Sequence, residues 1–94
     1  MKRDDFVSVI GYHGELALID KKLKRHLRGK STQQLIDEGQ FKAAFCQSFM
    51  AGHQERELVL SSYNQLSGSE YTDKELEKLF GVFAIPEKVK IQEI

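Results

Sequence analysis

The chain has 94 residues, 40% hydrophobic and 30% charged, and its 14 Lys and Arg are matched by 14 Asp and Glu. That length supports one small hydrophobic core, and the composition is that of a folded domain, not a disordered tail. Zero net charge sets aside the polycationic class of nucleic-acid binder and the strongly acidic class of mimic. One cysteine closes no internal disulfide and supplies no thiolate zinc set.

The first predicted element is a β-hairpin. Phe6–Tyr12 and Glu15–Ile19 are apolar or β-branched runs separated by His13-Gly14, a two-residue turn ending in glycine. With that turn, Tyr12 pairs with Glu15, Gly11 with Leu16, Ile10 with Ala17 and Val9 with Leu18. Val7, Val9, Leu16 and Leu18 then share one face, and Ser8, Ile10, Ala17 and Ile19 the other. Both faces are apolar, so the hairpin needs a third strand or a helical layer.

Asp20–Gly29 reads as a cationic helix, opened by Asp20, closed by Gly29 and carrying Leu23 and Leu27 four apart. Residues 1–30 hold 8 Lys and Arg against 4 Asp and Glu, while residues 31–94 hold 6 against 10. Most of the positive charge is Lys21, Lys22, Lys24, Arg25, Arg28 and Lys30, the candidate anion contacts. These cations lie on every side of the helix, and no aromatic residue interleaves with them for base stacking. The blander reading is a solvated helix that balances the acidic later helices.

Ser31-Thr32-Gln33-Gln34 is a capping box opening a short helix that ends near Gly39. Phe41–Met50 is the strongest helix: Phe41, Ala44, Phe45, Ser48 and Phe49 repeat at helical spacing, with Ala43, Cys46 and Met50 on a second apolar side. Gln54–Leu66 follows as an amphipathic helix. Thr72-Asp73-Lys74-Glu75 is a second capping box, leading to Leu76, Leu79 and Phe80 and stopped by Gly81. After Ile85-Pro86, Lys88–Ile94 alternates like a half-exposed strand, expected beside the hairpin with its lysines blunting an edge. The expected fold is one α+β domain over 1–94: a hairpin and a C-terminal strand in a small sheet, packed against about four short helices.

Gly39, Phe41, Ala44 and Ala51, between Ser31 and Leu66, faintly resemble a single tetratricopeptide repeat. Such a repeat needs neighbours to bury its faces, so the stretch is read as a generic helical hairpin.

Residues able to carry chemistry have simpler explanations. His53 and Glu57 are four apart on a helix, but two ligands do not make a metal site. Cys46 lies in an apolar helix centre, opposite to the setting that activates a thiol. The serines suit caps and turns, the seven glycines suit turns and helix ends, and no phosphate-binding loop occurs. The acidic neighbours Asp37-Glu38 and Glu55/Glu57 are ordinary for exposed helices. No cofactor and no metal are expected.

The expected function is therefore a small non-enzymatic protein-binding or regulatory module, with self-association among its contacts. A domain of this size buries only about 60–65% of its extended surface, so a homodimer is a natural route to stability. Ile10, Tyr12, His13, Phe83 and Ile85 are the candidate protein contacts. The alternative is a nucleic-acid-associated protein using the 21–30 segment. With no signal-peptide pattern and no run near the roughly 18 apolar residues of a membrane helix, the expected compartment is the cytoplasm.

Overall fold

In a computed structural model, which describes residues 1–94, the chain begins as a helix, where the sequence predicts the first strand. Helix α1 is Arg3–Val7, and strand β1 starts only at Val9. Local preference favours a strand at Phe6-Val7, but tertiary packing overrides it. Both side chains enter the main core, and the Phe6 ring meets Phe49 edge-on at 6.3 Å. Asp4 and Asp5 lie in the first turn, where the helix dipole favours acidic side chains. The Ser8 hydroxyl donates to the Asp4 carbonyl at 2.6 Å and so occupies a carbonyl at the end of this helix.

The hairpin is present, β1 (Val9–His13) with β2 (Leu16–Ile19), but its turn lies one residue later than expected, so each partner near the turn shifts by two residues. The turn is Gly14-Glu15, and the pairs are His13 with Leu16, Tyr12 with Ala17 and Gly11 with Leu18. Gly14 has φ 61° and no non-glycine residue has positive φ, so the glycine fills the first turn position. That is the demand of a II′ turn. An irregularity at Ile10 then brings Val9 opposite Ile19. A two-residue shift keeps each side chain on its face, because the period is two, but the bulge at Ile10 carries Val9 across to the face of Ala17 and Ile19. The buried cluster on the sheet is consequently Val9, Ala17 and Ile19, which joins Val9 to the two residues that the expected register placed on the opposite face.

The next segments follow their local signals. Asp20 Oδ1 accepts from the amides of Lys22 and Leu23 at 2.9 and 3.1 Å, opening α2 (Lys21–Leu27). Ser31 and Gln34 form a complete capping box on α3 (Thr32–Asp37). Helix α4 (Phe41–Ala51) buries Ala43, Ala44, Phe45, Cys46 and Ser48, so it is the centre of the core. Gly52 separates it from α5 (His53–Ser67). Thr72 and Glu75 cap α6 (Asp73–Phe80), and Gly81 ends it in the left-handed region.

Strand β3 is Lys90–Glu93, shorter than the predicted tail strand, and it lies parallel to β2. The sheet order β1-β2-β3 makes β2 central and leaves both outer strands as edges. Parallel pairing requires a long crossover, and the whole helical segment from α2 to α6 supplies it. The architecture is α+β: a three-stranded sheet and six helices, four of them of seven residues or more.

Two apolar clusters result. The larger joins Phe6, Val7, Leu27, Leu35, Phe45, Val59, Leu76 and Val82 from the helices and connecting segments. The smaller is the Val9, Ala17 and Ile19 face of the sheet, and Met1 packs against both. Polar side chains tie the N-terminal helix across them. Arg3 donates to Gln47 Oε1 at 2.6 Å and to the carbonyls of Leu27 and Lys30, while Gln47 donates to Thr32 Oγ1 at 3.0 Å. The Thr32 hydroxyl in turn donates to Glu55.

Candidate functional site

Three of the five candidate protein contacts fall on one strand. Ile10, Tyr12 and His13 all belong to β1, an edge strand with no further strand beyond it. Ile10 is 48% exposed and Tyr12 45%, values high for large apolar groups on a strand. The Ile10 bulge adds an unpaired residue to that edge and re-aims the side chain. Tyr12 shares a cross-sheet row with Ala17 and Ile91, since each is paired with the next. Its phenol is pushed above the ordinary 10.0, first by burial and second by the neighbouring Cys46. Tyr12 is thus about half exposed on the edge strand, with its phenol end partly enclosed.

Phe83 and Ile85 behave differently from each other. Phe83 is 62% exposed beyond α6, whereas Ile85 packs against the main core and is only partly accessible. An alternation of apolar residues around Pro86 does not say which one turns inward. Sequence reasoning also passed over exposed Ile91 and Ile94 at the C-terminal strand and Leu79 on α6. Period-two and period-3.6 patterns assigned these to buried faces that the small sheet and short helix leave partly uncovered.

The basic segment divides into committed and free cations. Lys24 Nζ lies 2.6 Å from Asp5 and 3.1 Å from Glu93. Those two hydrogen-bonding carboxylates, Asp5 foremost, hold its ammonium above the ordinary 10.5. Lys30 pairs with Glu38, which also meets His26 Nε2 at 2.7 Å. Lys30 first, and His26 after it, draw the Glu38 carboxyl below its ordinary 4.5. Arg28 stands 3.8 Å from Asp4 and remains largely exposed. Lys21, Lys22 and Arg25 are exposed, with no carboxylate at ion-pair distance. A cleft of about 210 Å³ is lined by Lys21, Lys24, Arg25, Arg28 and Glu93, with no apolar residue.

A third feature has no precursor in the sequence reading. Ile36, Phe41 and Leu66 line an open cleft of about 570 Å³ between α3, α4 and α5, rimmed by Asp37, Ser62 and Gln65. Leu66 is 72% exposed there. The amphipathic stripe of α5 runs past the end of α4, so its last leucine lacks a covering helix.

The groups able to do covalent or metal chemistry are dispersed. Cys46 is buried in α4, and burial pushes its thiol up to about 12, against a small opposing pull from Lys42. His53 and Glu57 stand 3.5 Å apart on exposed α5, and nowhere do three His, Cys, Asp or Glu side chains gather. No helix is long and apolar enough to cross a membrane. Compared with models of protein families, with curated proteins and with solved structures, the chain matches none.

Proposed function

We propose that the chain is a small protein-binding module that docks partners on the β1 edge, with a second copy of itself as one such partner. The observation that carries this reading is the placement of Ile10 and Tyr12, both about half exposed, on a strand with an open side. Open edges invite strand addition, and exposed aromatic and aliphatic groups supply the burial that makes such pairing persist. The bulge at Ile10 shortens any new backbone ladder, so side-chain burial at Ile10 and Tyr12 is the larger contribution. A two-fold arrangement of β1 on β1 is self-complementary and closed, which favours a dimer over a filament.

Light scattering over a wide concentration range tests this directly. The wild type is expected to pass from 10.8 kDa to twice that mass, and Ile10→Lys to remain at 10.8 kDa. A wild type that keeps the monomer mass throughout overturns self-association. An Ile10→Lys variant that dimerises like wild type overturns the β1 edge as its site.

A further inference from the structure

The cleft on α2 has a chemistry unrelated to the β1 edge and lies on the β3 side of the sheet, two strands away. Lys21 and Arg25 stand at i and i+4 on one stripe of α2, and Arg28, the residue that caps its C-terminal end, follows at i+7 and lines the same cleft. At 1.5 Å of rise per residue the row of three is about 10 Å long. The ion pairs sharpen it: Lys24, between stripe members, is occupied by Asp5 and Glu93, whereas Lys21 and Arg25 have no counter-charge. Arg28 keeps only the 3.8 Å contact with Asp4.

We infer that this cleft is a phosphate-contact site for the backbone of a nucleic acid, with Lys21, Arg25 and Arg28 as the contacting cations. The occupant follows from what the cleft contains and lacks. A row of cations matches a row of regularly spaced phosphates better than it matches one compact anion. No aromatic side chain lines the cleft to stack a base, so neither a free nucleotide nor a particular sequence is selected. No apolar side chain lines it either, so nothing there inserts into a lipid layer.

Glu93 sets the strength of the site. Its carboxylate lies in the cleft wall 3.1 Å from Lys24, where it neutralises that cation and repels a phosphate. Removing the Glu93 charge takes away that repulsion, while Lys24 stays paired with Asp5. With three phosphates neutralised, log K falls with log salt at a slope of about −2.7 on duplex DNA. That is a loss of about 20-fold between 50 and 150 mM salt.

Fluorescence anisotropy with a labelled 20-base-pair DNA duplex at 50 and 150 mM NaCl tests the proposal. Wild type is expected to show the salt loss above. The double variant Lys21→Glu with Arg25→Glu, whose side chains make no ion pair in the fold, is expected to lose at least tenfold at low salt. Glu93→Gln is expected to bind several-fold tighter than wild type. Lys42→Glu with Lys78→Glu makes the same change in net charge elsewhere and is expected to retain most of the affinity. Circular dichroism checks that each variant is folded. The proposal is overturned if wild type does not bind at 50 mM, if the stripe variant binds like wild type, or if the control pair loses as much. It is also overturned if polyglutamate of equal charge displaces the duplex as well as unlabelled DNA does, because the cleft is then a site for acidic protein.

Discussion

Lys24 and Asp5 lie 2.6 Å apart, and that pair joins α2 to α1 at a point where the buried Asp5 Oδ1 meets no partner but the Lys24 ammonium. The ammonium is therefore the compensation for an enclosed negative charge. Replacing Lys24 by Met leaves Asp5 uncompensated, and the expected cost is about 3 kcal/mol. Adding Asp5→Asn to that variant removes the stranded charge and is expected to restore part of the loss. Urea unfolding of the two single variants and the double measures this. Equal stability of Lys24→Met and wild type would contradict the role given to the pair.

Asn64 fixes the connection between α5 and α6 by two hydrogen bonds to one residue. Its Nδ2 donates to the Tyr71 carbonyl and its Oδ1 accepts from the Tyr71 amide, both at 2.9 Å. The side chain thus satisfies backbone groups that a turn would otherwise leave to solvent, and it anchors Tyr71, one residue before the Thr72 cap that opens α6. Asn64→Ala is expected to cost about 1–3 kcal/mol, with Asn64→Asp intermediate because it keeps only the acceptor. Amide exchange should quicken first at Tyr71. Unchanged exchange at that amide would count against the assignment.

How much of this was legible in the sequence depends on the range of the interaction. The caps at Asp20, Ser31 and Thr72 are complete within three residues, and all three appear where the sequence puts them. Helix α4 was legible because its apolar residues repeat over two full turns. The hairpin register was not, because Gly14 fits either turn position and nothing local announces the bulge at Ile10. Helix α1 was hidden for a different reason: Phe6 and Val7 prefer a strand, and only packing against α4, some forty residues away, makes them helical. The positive charge of the 21–30 segment was plain. Its division into paired and free cations was not, since Asp5, Glu38 and Glu93 arrive from three separate parts of the chain.

The Glu38 carboxyl links α2 and α3 through Lys30 and His26, and its depressed ionisation gives the fold an acid-sensitive contact. A carboxyl whose folded value lies below the unfolded one adds stability that is present above 4.5 and lost as pH falls through the lower folded value. Carbon-detected NMR titration of the side-chain carboxyls should find Glu38 ionising below its ordinary value. In Lys30→Met the midpoint is expected to rise, because the largest cause is gone. A midpoint that stays in place would show that Lys30 is not its source.

Cys46 is the group whose ionisation the fold opposes most. Burial in α4 moves its thiol from 9.0 to about 12. At pH 8 the thiolate fraction is then about one in ten thousand, and the thiolate is the reactive form. Ellman's reagent is therefore expected to leave the native protein unmodified for hours at pH 8 and to react within minutes in concentrated guanidinium. The same shift has a consequence for stability. Because the folded value is the higher one, its contribution is complete below pH 9 and declines as pH rises from 9 toward 12, where the unfolded chain releases its proton first. Cys46→Ala removes that term while creating a small cavity, so its stability at pH 8 should be somewhat below wild type. Between pH 8 and 10.5 it should lose less than wild type does. Urea midpoints at the two pH values decide the matter, and parallel losses in the two proteins would show that the thiol stays protonated for no energetic reason of the fold.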